Sequence, residues 1–296
     1  MVATLSIIGA GRVGKTLGRL WVDAGSVQVL QIMNRSLASS AAAAAFIGQG
    51  APIVEGHALE PAALIMIATS DSAIGASATR LAASGVLAPS AVVFHCSGAV
   101  GLEALAPVER AGARVARLHA LRSFAAPERA MAAFPGTYCG LEGDIDAMRA
   151  LERLVGACGG RPFPMPAAGA VFYHAAAVLV SNYLVALIEA GLRCSAQAGF
   201  ARSEASAMLQ GLVTSTLDNV FVAGTAAALT GPIARGDAEV VRSQLAALSP
   251  TDPQVAEVYR ALGSLALDLS ARQGSATLAS LEQIRSILAA AASGTP

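Results

Sequence analysis

The stretch GAGRVGKT, residues 9–16, sits between a short apolar run and an amphipathic one. It satisfies two patterns, and both of them place a phosphate at the start of a helix. Gly9, Gly11 and Gly14 form G-x-G-x-x-G, and Gly9, Gly14, Lys15 and Thr16 form G-x-x-x-x-G-K-T. In each, glycines let the backbone approach the phosphate, and the free N–H groups and positive dipole end of the helix receive it. The two patterns differ in what else they need. A triphosphate site needs a carboxylate to help hold Mg²⁺, and a guanine-nucleotide site also needs a base-reading lysine. Lys15 is the only lysine in the chain.

A dinucleotide site needs a ribose reader about 20 residues on, at the end of the second strand. Asn34-Arg35-Ser36 stands there, twenty residues past Gly14. An acidic residue would take the 2′-hydroxyl of NAD. An arginine flanked by two hydrogen-bonding side chains suits a 2′-phosphate instead. Gly9, Ala10, Gly11, Arg12, Val13 and Gly14, with Asn34, Arg35 and Ser36, therefore read as an NADP site. Lys15 is expected to point to solvent. LIMIATSD, residues 64–71, passes for a second triphosphate motif and keeps that alternative open.

Strand-like and helix-like segments alternate along the first half. TLSIIGAG, VQVLQIM, LIMIATS, AVVFHCSG, ARVARLHAL and GTYCGLEG read as strands, with LIMIATS the third. Residues 12–24, with Val13, Leu17, Leu20 and Trp21 on one side, read as a helix, as do SLASSAAAAAFIGQG and DSAIGASATRLAASG. This alternation predicts βαβ units and a mostly parallel, doubly wound sheet. GGRPFPMPAAGA, with three prolines, closes the segment, and beyond it the pattern is helical throughout. The expectation is an α/β Rossmann domain over 1–165 followed by an all-α domain over 166–296.

Composition narrows the partners. Formal net charge is zero, so nothing points to nucleic acid. Hydrophobic residues make up 54% of the chain and charged ones 14%. AVFYHAAAVLVSNYLVALIEAG, residues 170–191, is broken by His174, Ser181, Asn182 and Glu189. It reads as a buried helix or one packed in a subunit interface, not as a membrane span. The first residues carry no basic leader, which fits a cytoplasmic protein. The four cysteines show no C-x-x-C spacing, so free thiols are expected and no metal.

Taken together, IIGAGRVG, NRS, IATSD, HCSGA, YHAAAVLVSNY and LTGPIARGD resemble Rossmann-like proteins with a C-terminal domain of unknown function, regarded as candidate NADP oxidoreductases. The wider superfamily includes β-hydroxyacid dehydrogenases, phosphogluconate dehydrogenase, ketopantoate reductase, prephenate dehydrogenase and pyrroline-carboxylate reductase. The resemblance implies a Rossmann domain, a helical second domain, a homodimer and a nicotinamide held in the cleft between domains. It implies no particular substrate. Many β-hydroxyacid dehydrogenases use a lysine on the first long helix of the second domain, with an asparagine one turn on. This chain has no lysine there. His174 falls on that helix, and Asn182 follows eight residues later on roughly the same face.

The remaining candidates each have a structural alternative. Ala68, Thr69, Ser70 and Asp71 end a strand on the cofactor side and also suit a helix cap. In the resemblance, the loop His95-Cys96-Ser97-Gly98 lies beside the nicotinamide and offers a hydroxyl and N–H groups. Otherwise Ser97 caps a turn, Gly98 bends it, and Cys96 is a buried thiol. His119 resembles the histidine of the prephenate dehydrogenase "HP" motif, with Ala120 in place of proline. His174 carries an imidazole, the side chain type that most often moves a proton in general acid–base chemistry. His57 is given no role. Arg235, in LTGPIARGD, offers a cation to an anionic substrate, and Asp237 a cap. Three functions compete: an NADP-dependent oxidoreductase of a small, anionic substrate, a non-catalytic dinucleotide sensor, and a nucleotide triphosphatase. A homodimer through the helical domain, residues 170–292, is expected.

Overall fold

The computed structural model describes residues 2–54, 59–165 and 167–290. His57 lies outside them. The chain divides into two compact units, Met1–Tyr183 and Leu184–Pro296.

Unit 1 is built on an eight-stranded sheet. Its strands are β1 (Ala3–Ile8), β2 (Val27–Asn34), β3 (Ala51–Val54), β4 (Leu64–Ile67), β5 (Val92–His95), β6 (Arg114–Ala120), β7 (Tyr138–Gly143) and β8 (Arg161–Pro164). They lie in the order β3-β2-β1-β4-β5-β6-β7-β8. Every neighbouring pair is parallel except β6 with β7. The connecting helices are α1 (Arg12–Asp23), α2 (Leu37–Ile47), α3 (Asp71–Ala83), α4 (Ala106–Arg110), α5 (Pro127–Ala132) and α6 (Ile145–Ala157). Parallel strands covered on both faces read as continuous apolar runs, and their alternate residues feed two cores. Leu64, Met66 and Phe94 join Leu17 and Trp21 of α1 on one face. Ile65, Ile67 and Val93 join Ile74 and Leu81 of α3 on the other.

Two strands escape the sequence pattern, and they are the two edges. β3 is APIV and β8 is RPFP. Proline has no N–H to give a ladder, so it is tolerated at edges and hides them from strand periodicity. LIMI is therefore the fourth strand. GGRPFP lies within unit 1. It contributes β8, and Phe163 of that strand meets Tyr173 of the next helix edge to face, with ring centroids 6.0 Å apart. The division between units thus falls at 183/184, compared with the 165/166 read from the sequence.

That next helix is α7 (Ala170–Ala177), continued through a π turn at Val178–Asn182 into α8 (Tyr183–Gln197). None of its residues is buried, contrary to the expectation of a core helix. Val171, Phe172, Leu179, Val180 and Val185 along it are exposed.

Unit 2 continues with α9 (Arg202–Ala223), α10 (Thr225–Ala228), α11 (Pro232–Arg235), α12 (Ala238–Thr251), α13 (Pro253–Gln273) and α14 (Leu278–Ala289). No strand occurs among its described residues. Ile233, Val241, Leu245, Ala256, Leu267, Leu281, Ile284 and Leu288 form its core. Asp252 starts α13 by accepting from the Val255 N–H at 3.2 Å.

Candidate functional site

The C-terminal ends of β1, β4, β5 and β6 share one edge of the sheet, because these strands are parallel. The chain order reverses between β1 and β4, which makes the crevice there the place for a ligand. The glycine loop sits at that point. Gly9 has φ +86°, and a Cβ on it would stand 2.6 Å from the Thr69 backbone N. A Cβ on Gly14 would stand 2.8 Å from the Gly9 carbonyl, so α1 packs directly on the strand. A Cβ on Gly11, by contrast, would meet nothing within 4 Å. The first turn of α1 has no side-chain cap and no acidic residue, which leaves its N–H groups and dipole open to an anion. Arg12 is exposed and Val13 half-buried beside them.

The ribose position is built as a bridge. Asn34 Oδ1 accepts from the Ala10 N–H at 2.7 Å and ties the end of β2 to the loop. Its Nδ2 is buried without a partner. An unpaired buried donor costs free energy unless a ligand accepts from it. Arg35 beside it is exposed, with no hydrogen bond or ion pair among the described residues. Ser36 caps α2, its hydroxyl accepting from the Ser39 N–H at 3.3 Å. These residues fit a dinucleotide.

The triphosphate alternative does not fit. Thr16, which would have to reach Mg²⁺, is fully buried, and its hydroxyl donates to the Arg12 carbonyl at 2.7 Å. Lys15 does not point freely to solvent as expected. Its Nζ lies 5.0 Å over the Phe46 ring, a cation–π contact that draws the chain onto α2.

At the end of β4 the Ala68 N–H is already used by the Ile8 carbonyl, so that donor is not available to a cofactor. Thr69 lies against Gly9. Ser70 occupies the cap position of α3 without a side-chain cap bond, because its hydroxyl is 3.4 Å from that of Ser72 instead. Asp71 contributes by charge in the first turn.

His95 and His119 stand toward the ends of β5 and β6, and His174 on α7 meets His119. His95 is fully buried, accepts at Nδ1 from the Ser97 N–H at 3.2 Å, and has an Nε2 without a partner. Burial pushes its imidazole down to about 4. Ser97 acts as the turn reading expects, its hydroxyl accepting from the N–H groups of Ala99 and Val100 at 3.1 and 3.0 Å. Burial raises the Cys96 thiol to about 12, which leaves it no nucleophile. Gly98 lies against two imidazoles at once. Its Cβ would stand 2.7 Å from both His119 Nε2 and His174 Nδ1. The two rings are themselves edge to face, with centroids 5.8 Å apart. Burial, and secondarily His174 and Arg117, push His119 down to about 4.

Two participants escape sequence reasoning. Tyr173 places its hydroxyl 3.0 Å from His119 Nδ1. Its only signal is a polar tip next to His174 on an apolar helix. Arg117 is buried on β6. It donates to the Val100 carbonyl at 3.1 Å and pairs with Glu142, directly opposite on β7. It thereby fixes the loop that carries Ser97 and Gly98. Of the expected residues, Asn182 does not join this group. It is exposed at the end of the π turn, with no hydrogen bond among the described residues. Arg235 is in unit 2, where Asp237 holds it at 2.9 Å. Asp237 stands at the start of α12 but makes no side-chain cap bond, since Arg235 occupies its carboxylate. Unit 2 also has an apolar cavity of about 560 Å³, lined by Leu187, Cys194, Leu229, Val258 and Leu262 among others. At its wall the Tyr259 hydroxyl donates to Gln244 Oε1. Among the described residues, no cluster of three or more metal-binding side chains occurs.

A doubly wound sheet with a glycine loop at its switch point defines unit 1 as a dinucleotide-binding Rossmann fold. Residues 2–120 match the Rossmann-like domain family, and residues 137–266 match a domain of unknown function, DUF2520. The two matches together are the combination that its motifs resemble. No curated protein sequence matches it. Among solved structures, a Thermotoga maritima protein is 24% identical with a TM-score of 0.69, covering 91% of this chain and 99% of its own. A proposed NADP oxidoreductase from Bacteroides fragilis is 17% identical with a TM-score of 0.75, covering 90% and 98%. An imine reductase from a Pseudomonas species is 18% identical with a TM-score of 0.60, covering 96% and 99%. These likenesses show the fold that the chain shares with these structures.

Proposed function

We propose that unit 1 binds NADP and that the chain is an oxidoreductase of a small substrate, with its chemistry at the ends of β5 and β6. The observation that carries the cofactor reading is Asn34. It spends its oxygen on the glycine loop and leaves a buried amide donor beside the unpaired Arg35. The names of the Bacteroides fragilis and Pseudomonas proteins support the reading.

When bound, the nicotinamide supplies or accepts a hydride. The chain's part is to hold the dinucleotide, through the open first turn of α1 at the pyrophosphate and Asn34 and Arg35 at the ribose. It must also present a proton-handling group, a part we assign to His119, which meets His174 over Gly98. The fluorescence of NADPH on titration tests the first part. Arg35→Ala should weaken NADPH by about 1.5–3 kcal/mol, the worth of a hydrogen bond to a charged group, and leave NADH nearly unchanged. Equal loss for both cofactors would remove the 2′-phosphate assignment. Binding of NADPH with no turnover on any substrate would favour a sensor over an enzyme.

A further inference from the structure

His119 is held on one side only. Its Nδ1 faces the Tyr173 hydroxyl at 3.0 Å, and the two rings meet edge to face with centroids 5.4 Å apart. Tyr173 is steadied in turn by Phe163 of β8. The Nε2 of His119 has no hydrogen-bond partner among the described residues and lies against Gly98. His174 approaches the same point from α7, but with an Nδ1 that is buried and unpartnered. No carboxylate is hydrogen-bonded to either ring among the described residues. Burial pushes the phenol of Tyr173 up to about 12 and the imidazole of His119 down to about 4. Both are uncharged at neutral pH. The phenol is the stronger acid of the two neutral groups and so donates to Nδ1. An imidazole that accepts at Nδ1 carries its proton on Nε2.

We infer that Tyr173 fixes His119 as the Nε2–H tautomer, and that the pair relays a proton to the oxygen of a carbonyl substrate. This rests on the oxidoreductase reading above and deepens it by naming the proton route and the substrate class. A neutral imidazole alone is a poor acid, because loss of its proton leaves an imidazolate. The relay avoids this. As the carbonyl carbon gains a hydride, the oxygen takes the proton from His119 Nε2 while Nδ1 takes the proton of Tyr173. The N–H bond at Nε2 and the O–H bond of the phenol break, and an O–H bond on the product and an N–H bond at Nδ1 form. The imidazole is neutral before and after. Tyr173 is left as a phenolate that water reprotonates. An alkoxide is a far stronger base than a phenolate, so the net transfer runs downhill. An imine must be protonated before it accepts a hydride, and a neutral pair with no bonded carboxylate is poorly suited to hold an iminium cation. His174 then serves to position Gly98 and His119 rather than to donate.

The tautomer is readable without cofactor or substrate. In ¹⁵N NMR of the histidine-labelled chain at neutral pH, His119 should show a protonated Nε2 and a bare Nδ1. Tyr173→Phe, which keeps the ring packing, should give a mixture of tautomers. A wild-type His119 protonated at Nδ1 would overturn the inference even if the variant failed to fold. So would a spectrum unchanged in a folded variant. With NADPH, turnover should be found among aldehydes, ketones and 2-oxo acids and not with 1-pyrroline compounds. Tyr173→Phe should lower kcat by about 10²–10⁴-fold, the usual loss of a proton donor, with KM little changed and NADPH affinity kept. Turnover of imines alone, or of nothing while NADPH binds, would overturn the relay. Failure to bind NADPH would remove the oxidoreductase reading and the relay with it. The spectra would then still decide whether Tyr173 sets the tautomer.

Discussion

Gly98 is the point where two histidines from different elements meet, and no larger residue fits there. A methyl group at that position would press on His119 Nε2 and His174 Nδ1, both at 2.7 Å. Overpacking of this kind typically costs 1–3 kcal/mol. Gly98→Ala should lower the urea midpoint accordingly. An unchanged midpoint would mean that the rings can swing aside. The same burial makes the site sensitive to acid. His95 and His119 are pushed from 6.5 to about 4, so between those values the unfolded chain binds protons that the folded one refuses. Stability then rises with pH across this window and is lost as pH falls from 6.5 toward 4. Denaturation at pH 7 and pH 5 should show the acid loss, and His119→Gln should reduce it. A loss of equal size in that variant would assign the acid sensitivity elsewhere. At this scale the sequence is partly legible. His95, Ser97, His119 and His174 were all visible as polar residues at strand ends or on an apolar helix. Tyr173 was not, because nothing in a linear pattern says that a phenol on one helix faces a histidine fifty-four residues earlier.

Among the elements, the interior parallel strands were legible because burial on both faces leaves an uninterrupted apolar run. The edge strands β3 and β8 were not, since proline removes the pattern that announces a strand. The π turn at Val178–Asn182 was invisible as well, and with it the placement of Asn182. The antiparallel pair β6–β7 carries the most testable feature at this level. Arg117 and Glu142 face each other across the ladder, with side chains 2% and 18% exposed. Removing one partner of a buried pair typically costs 3–5 kcal/mol, because the other charge is left unpaired. The cost should be unequal here. Glu142→Leu leaves a guanidinium with almost no water and should sit near that range. Arg117→Met keeps the volume and leaves a carboxylate that water can reach, so it should cost less. The double variant Arg117→Met/Glu142→Leu should recover much of the loss. Urea unfolding of all three decides it, and the reverse order of the single variants would refute the account.

For the whole molecule, the surface poses the remaining question. The helix from Ala170 to Gln197 is long and apolar enough to cross a membrane by length and composition, and none of it is buried. Val171, Phe172, Leu179, Val180 and Val185 are exposed along it. Phe221 and Val222, at the end of α9, are 86% and 88% exposed. Large apolar side chains exposed in such number mark an interaction site. We propose that a second copy of the chain covers it, as the sequence leads one to expect of residues 170–292. The composition supports a protein partner over lipid. The same helix carries Glu189, which pairs with Arg202 at 2.6 Å, and Arg193, which pairs with Asp252 at 2.5 Å. Charges placed this way suit an interface with polar islands better than a hydrocarbon core. Sedimentation at micromolar concentration should give a dimer, twice the 29.6 kDa of the chain. Introducing a charge with Phe221→Glu or Val185→Glu, both in unit 2, should shift it toward monomer while leaving the melting of unit 1 and its NADPH affinity intact, because the glycine loop and Asn34 belong to the other unit. A clean monomer in the wild type would refute the dimer. Co-flotation of the wild type with phosphatidylcholine vesicles, abolished by the same variants, would replace the second copy with a membrane.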